Sequence, residues 1–266
     1  MQPALPAENQ PPDAPVPEAF KAPRWKRVLD ISLIILSLPL LLPLMLFVAL
    51  LVRCVSAGPV LFRQDRIGHF GRRFRCFKFR TMVVGNDTSI HKGHLNQLID
   101  SNAPMVKMDI HGDPRIIMFG VPLRASGLDE LPQILNVLRG QMSLVGPRPC
   151  VSYEYEKFLP WQRERFNCLP GLTGLWQVSG KNNTTFDEMV RLDIHYARAS
   201  SLGLDLSIIA RTIPSLIIQM IETRRRAAAR AAHPVPAPAT APVSGAAQGH
   251  PRPANFTTAF PTDRTR

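Results

Sequence analysis

The longest apolar stretch of the chain runs from Val28 to Val52, with Asp30 as its only charge. About 25 helical residues reach roughly 37 Å, long enough to span a bilayer. Two features complicate a simple span. Pro39 and Pro43 fall inside the run. Each removes a backbone donor and crowds the preceding turn, so a helix here bends. Basic residues also flank both ends: Lys26 and Arg27 before, and Arg53, Arg63, Arg66, Arg72 and Arg73 after. Such flanks favour the cytoplasmic side. If both ends stay inside, the helix enters and returns. A re-entrant hairpin satisfies the charges and the prolines together, with a straight span as the open alternative.

After this run the period changes. Arg73-Phe74-Arg75-Cys76-Phe77-Lys78-Phe79-Arg80 nearly alternates, which predicts a strand pair with a basic face. Residues 83–109 are polar and read as loop plus a short helix. Gly112-Asp113-Pro114-Arg115 reads as a turn. Residues 131–138 and 186–196 carry helical apolar spacing. Residues 204–221 are apolar, interrupted by Asp205, Arg211 and Pro214. They predict a helix lying at the membrane interface, with a buried core helix as its rival. The N-terminal segment is rich in Pro and Ala, and an Ala/Pro-rich tail follows Arg224-Arg225-Arg226. Both ends lack apolar periodicity and are expected to be disordered.

Of the 266 residues, 32 are Lys or Arg and 20 Asp or Glu, a formal net charge of +12. That balance favours anionic partners: lipid headgroups, phosphorylated substrates or nucleic acid. Aromatic content is 7%, with no RNP-like motif and no zinc-finger spacing, so no nucleic-acid partner is expected. Cys54, Cys76, Cys150 and Cys168 form no CxxC pair and read as reduced thiols.

Three segments carry candidate chemistry. In Leu128-Asp129-Glu130-Leu131-Pro132-Gln133, Pro132 is tolerated only in a first helical turn. The helix therefore starts near Asp129, with both carboxylates at its positive end. Neighbouring side chains there point about 100° apart and can hold different roles. Ordinary acidic capping is the bland alternative. In Gly146-Pro147-Arg148-Pro149, Pro147 and Pro149 stiffen the backbone around an arginine suited to bidentate phosphate contact. A rigid surface turn is the rival reading. Pro170-Gly171-Leu172-Thr173-Gly174-Leu175-Trp176-Gln177-Val178-Ser179-Gly180, followed by Lys181, either lines a nucleotide or sugar pocket or supports the core. No dinucleotide fingerprint, P-loop or nucleophile elbow is present.

Taken in order, these segments resemble the bacterial sugar transferase family, the monotopic polyprenyl-phosphate phosphoglycosyl transferases. The likeness begins at Lys26-Arg27-Val28-Leu29-Asp30. It continues through Gly58-Pro59-Val60-Leu61-Phe62-Arg63-Gln64-Asp65-Arg66-Ile67-Gly68, Phe77-Lys78-Phe79-Arg80-Thr81-Met82 and Asp113-Pro114-Arg115. The three segments above complete it, and it extends to about Ile221. Two departures stand out. Leu42-Pro43 replaces the family's frequent Ser-Pro at the helix break, and Gly120-Val121 lacks the usual basic residue. The likeness is to the compact members, without the long multi-span N-terminal region of larger ones.

The resemblance implies a mostly helical α/β fold. It comprises a re-entrant N-terminal membrane helix and a small cytoplasmic catalytic domain with interfacial amphipathic helices. The expected division is a tail (1–24), the membrane helix (25–53), the catalytic domain (54–222) and a second tail (223–266). The resemblance further implies transfer of a sugar-1-phosphate from a UDP-sugar to polyprenyl phosphate, with release of UMP, at the cytoplasmic face of the bacterial inner membrane. Such a step opens exopolysaccharide, capsule or O-antigen-type assembly. Asp129 and Glu130 become the catalytic dyad, working with Mg²⁺, and Asp129 the covalent nucleophile and metal ligand. Arg124, Arg148, Lys78 and Arg80 become phosphate-binding candidates, and Pro39, Pro43, Pro147 and Pro149 structural ones. A homodimer stays open, as does a non-catalytic membrane adaptor of polysaccharide machinery.

Overall fold

The computed structural model describes residues 23–83, 89–105, 115–180 and 184–232. Nearly all of the N-terminal tail, the Gly112-Asp113-Pro114 turn residues, Lys181 and the chain after Ala232 lie outside these.

The apolar run forms α1 (Arg24–Val55), helical throughout and containing both Pro39 and Pro43. Although Leu42 precedes Pro43, a serine does act just before Pro39. Ser37 Oγ donates to the carbonyls of Leu33 (2.7 Å) and Ile34 (3.0 Å), a bond that bends helices locally. Only the ends of α1 are buried: Lys26, Asp30 and Ile34 at one, Val48 and Val52 at the other. Between them Leu36, Leu40, Leu42, Leu46 and Phe47 are exposed.

The alternating stretch folds as expected into a strand pair. β1 (Leu61–Ile67) and β2 (Arg73–Phe79) run antiparallel in a register that sets Gln64 against Cys76 and Arg66 against Phe74. Side chains alternate across a strand. Arg66, Cys76 and Lys78 therefore share one face, and Arg63, Arg73 and Arg75 the other. The basic charge is split between two faces rather than gathered on one.

The remaining elements are α2 (Ser89–Asp100), α3 (Gly120–Ser126), α4 (Ile134–Leu138), β3 (Ser143–Val145), α5 (Ser152–Tyr155), β4 (Gly171–Thr173), α6 (Leu175–Val178), α7 (Phe186–Ala199) and α8 (Leu202–Ala232). β3 and β4 pair in parallel. Thr185 caps α7: its Oγ1 accepts from Glu188 N–H, and Glu188 Oε2 accepts from Thr185 N–H. α8 continues ten residues past the end expected at 222, because Arg224 to Ala232 are strong helix formers and contain no proline. The chain is thus mostly helical with two small sheets, and both α1 and α8 are long and apolar enough to cross a membrane.

A buried polar knot ties α1 to the body. Lys26 Nζ sits 2.5 Å from Asp205 Oδ2 and donates to Tyr196 Oη at 2.7 Å; Tyr196 Oη donates to Asp205 Oδ1 at 2.6 Å. Asp30 Oδ1 accepts from Ser143 Oγ and from the Leu144 N–H, each at 3.0 Å. Removing one partner of a buried pair strands the other charge, which costs about 3–5 kcal/mol. Lys26→Met should therefore lower the unfolding midpoint in detergent sharply, and adding Asp205→Leu should restore much of it. An unchanged midpoint in the single variant would show that the knot contributes nothing.

Candidate functional site

Gly127 carries a positive φ of 75° and turns the chain from α3 into a 3₁₀ turn, Leu128–Gln133. This turn, rather than a full α-helix, opens at the acids. With three residues per turn, Asp129 and Glu130 point about 120° apart rather than 100°. The segment is docked by Asn136 on α4. Its Oδ1 accepts from Phe77 N–H (3.1 Å) and its Nδ2 donates to Arg75 O (2.7 Å), occupying the free edge of β2. Arg27 donates to the last carbonyls of α4, Val137 and Leu138. Docked so, Glu130 meets Lys78 from the hairpin at 2.6 Å, while Asp129 is buried one residue earlier.

Glu130 and Lys78 form one wall of a cleft. The other walls are Arg66 and Cys76 from the hairpin, Gln133, Arg148-Pro149, Gly171-Leu172 and Gln177. Three cations face one carboxylate. Burial pulls the Arg66 guanidinium below its usual value, and the neighbouring Arg148 charge pulls it further. Two like charges held this close favour an anion between them. Burial pushes the Cys76 thiol up, so it stays protonated and inert. Gln177 Oε1 is buried and has no partner among the described residues, an acceptor left for a ligand donor.

The Pro147–Pro149 loop is fixed from behind. A Cβ on Gly146 would lie 2.2 Å from Leu169 O, and one on Gly171 2.1 Å from Gly146 N. β3 and β4 approach more closely than any side chain permits. Four successive carbonyls of the loop then accept bonds. Pro147 O accepts from Gly171 N–H (2.9 Å), Arg148 O from Arg165 Nη2 (3.1 Å), Pro149 O from Arg66 Nη1 (3.0 Å) and Cys150 O from Ile67 N–H (2.8 Å).

Of the expected site residues, Glu130, Lys78, Arg148 and Pro149 come together in the cleft, with Asp129 adjoining. Arg80 does not. It is buried beneath the end of α1, donating to the carbonyls of Ala57 and Ser56. Its guanidinium thus faces the segment that follows α1 rather than the cleft. Arg124 lies off the cleft on α3, with Nη1 3.4 Å from Thr81 Oγ1. Arg66, Gln133 and Gln177 were not singled out, though each stands inside a motif that carries the resemblance. Among the described residues no three His, Cys, Asp or Glu converge on a metal. The adjacent carboxylates of Asp129 and Glu130 still fit a hard cation such as Mg²⁺, which takes one or two carboxylates and completes its shell with phosphates and water.

Comparison with known proteins identifies the family. Residues 21–219 match the family described as bacterial sugar transferase. The exopolysaccharide production protein ExoY of Sinorhizobium fredii is 39% identical over 73% of this chain and 85% of its own length. The UDP-glucose:undecaprenyl-phosphate glucose-1-phosphate transferase of Caulobacter vibrioides is 41% identical over 77% of this chain and 74% of its own. The galactosyl transferase CpsE of Streptococcus agalactiae is 41% identical over 73% of this chain but 42% of its own, so the chain spans less than half of that relative. With a cationic cleft at an Asp-Glu turn and a match over most of its length, the chain belongs to the bacterial sugar transferase family and is an enzyme of the sugar-phosphate transferase type.

Proposed function

We propose that this enzyme transfers a sugar-1-phosphate from a UDP-sugar to polyprenyl phosphate, undecaprenyl phosphate in bacteria, and releases UMP. The observation that carries the reading is the cleft: Arg66, Lys78 and Arg148 converge beside the Asp129-Glu130 turn. Such a site neutralises a diphosphate and presents a carboxylate to it. An Asp129 carboxylate oxygen attacks the sugar-bearing phosphorus; that O–P bond forms as the bond to UMP breaks, and UMP leaves with the electron pair. A phosphate oxygen of the lipid then attacks the same phosphorus and expels Asp129, leaving polyprenyl diphosphate-sugar. Lys78 holds Glu130 in place for proton transfer or metal orientation. Mg²⁺, held by Asp129 with Glu130 beside it, would spread negative charge on the diphosphate. Arg124 is reserved for a secondary phosphate contact, from the α3 side.

The lipid acceptor requires a site at the headgroup plane, and α1 supports that placement at the cytoplasmic face of the inner membrane. Ile34 shares a buried cluster with Cys76, whereas Val48 and Val52 share one with Phe79. Two stretches of α1 thus join buried clusters that take in residues of β2, with the apolar middle left exposed, which supports a re-entrant reading. α8 exposes Ile213, Ile217, Ile218 and Ile221 and suits an interfacial position.

A panel of UDP-sugars offered with undecaprenyl phosphate tests the reading. UMP should appear with at least one donor, depend on the lipid for repeated turnover, and stop on chelation of divalent cations. Absence of UMP across the whole panel would favour the adaptor role instead.

A further inference from the structure

A buried ion pair behind the cleft is unused by the chemistry above. Arg165, in the 3₁₀ segment Pro160–Asn167, lies 2.5 Å from Asp193 on α7, and each side chain is 1% exposed. Burying such a pair costs several kcal/mol per ion before its attraction is counted. Its bonding is sparse for that cost. Nη2 makes both polar contacts, one to Asp193 Oδ2 and one to Arg148 O, while Nε and Nη1 have no partner among the described residues. The guanidinium carbon lies 5.1 Å from the Phe158 ring centroid and 5.4 Å from that of Phe166. Burial pushes the Asp193 carboxyl up, with the Arg165 charge opposing.

We propose that Arg165 is a positioning residue: steered by Asp193, it fixes the Arg148 carbonyl and thereby aims the Arg148 guanidinium into the cleft. The inference rests on the reading that Arg148 grips substrate phosphate. Pro147 and Pro149 have no N–H, so the loop is held by its carbonyls, and Arg148 O is the one nearest the working side chain. Arg165 is its donor. A lysine keeps the charge opposite Asp193, but its side chain is one atom shorter and does not carry a nitrogen to the point where Nη2 meets both acceptors. Misplacing a substrate-gripping group by about 1 Å costs on the order of a hundredfold in rate.

The test is a double-mutant cycle on kcat/KM for UMP release, with thermal midpoints recorded for every variant. Arg165→Lys alone should lose between about 10- and 100-fold. In an Arg148→Ala background, the same change should lose less than about twofold, since nothing is left to aim. Should Arg165→Lys fail to fold, Arg165→Met with Asp193→Leu removes both charges and keeps an apolar interior. That pair should show the same coupling. Equal losses in both backgrounds would overturn the positioning role and leave Arg165 a stabiliser only. If Arg148→Ala is itself fully active, the phosphate-gripping reading of the cleft falls first, and this proposal with it.

Discussion

Asp129→Asn should abolish turnover, by a factor on the order of a thousand or more, and should also abolish capture of sugar-phosphate on the protein. The amide keeps the shape of a buried side chain at the second position of the 3₁₀ turn, so the fold should survive. What it loses is the anionic oxygen that bonds phosphorus. With donor present and lipid withheld, mass spectrometry of the parent enzyme should find a phosphosugar adduct on residue 129, and none in the variant. Glu130→Gln should behave differently. Its partner is Lys78 at 2.6 Å, so slower turnover with some adduct retained is consistent with a supporting role. Normal accumulation of lipid-linked product by Asp129→Asn would remove the covalent mechanism altogether.

The second large effect concerns topology. Replacing both Pro39 and Pro43 by Ala restores the missing donors and removes the ring clashes, each proline being worth roughly 3 kcal/mol in a helix interior. A straight helix separates Ile34 from Val48 by about 21 Å. Ile34 and Val48 join two different buried clusters, and straightening the segment between them is expected to pull one end off its cluster and to strain the Lys26–Asp205 pair. The expected outcome is an N-terminal tag that moves to the far side of the membrane, read by protease protection, together with loss of lipid-dependent turnover. A tag that stays protected as in the parent would reject the re-entrant reading.

Much of this was legible from residues alone, and the misses have physical causes. The apolar run, the alternating hairpin and the capped α7 follow from periodicity, which is a local property. Glu130, Lys78 and Arg148 were legible as charges inside rigid or acidic motifs. Arg66 was not, because nothing local announces that register sets it on the same face as Lys78. Arg80 misled for a related reason. It has the same parity as Lys78, but the strand ends at Phe79, and the chain then carries Arg80 to the carbonyls of Ser56 and Ala57, just past the end of α1. The continuation of α8 was obscured by the prolines that follow Ala232, which gave the whole tail a coil-like composition.

The run of bonded carbonyls from Pro147 to Cys150 limits where this active site can yield. A two-step exchange must seat first a bulky nucleotide and then a greasy phosphate on the same few square ångströms. Since that loop has no spare acceptor to trade, it serves as an anvil. Accommodation falls to the opposite jaw, where Lys78 and Glu130 meet through side chains rather than through backbone bonds. Changes of donor sugar over evolution would then be written on that jaw and on the cleft's rim, while the anvil stays as it is.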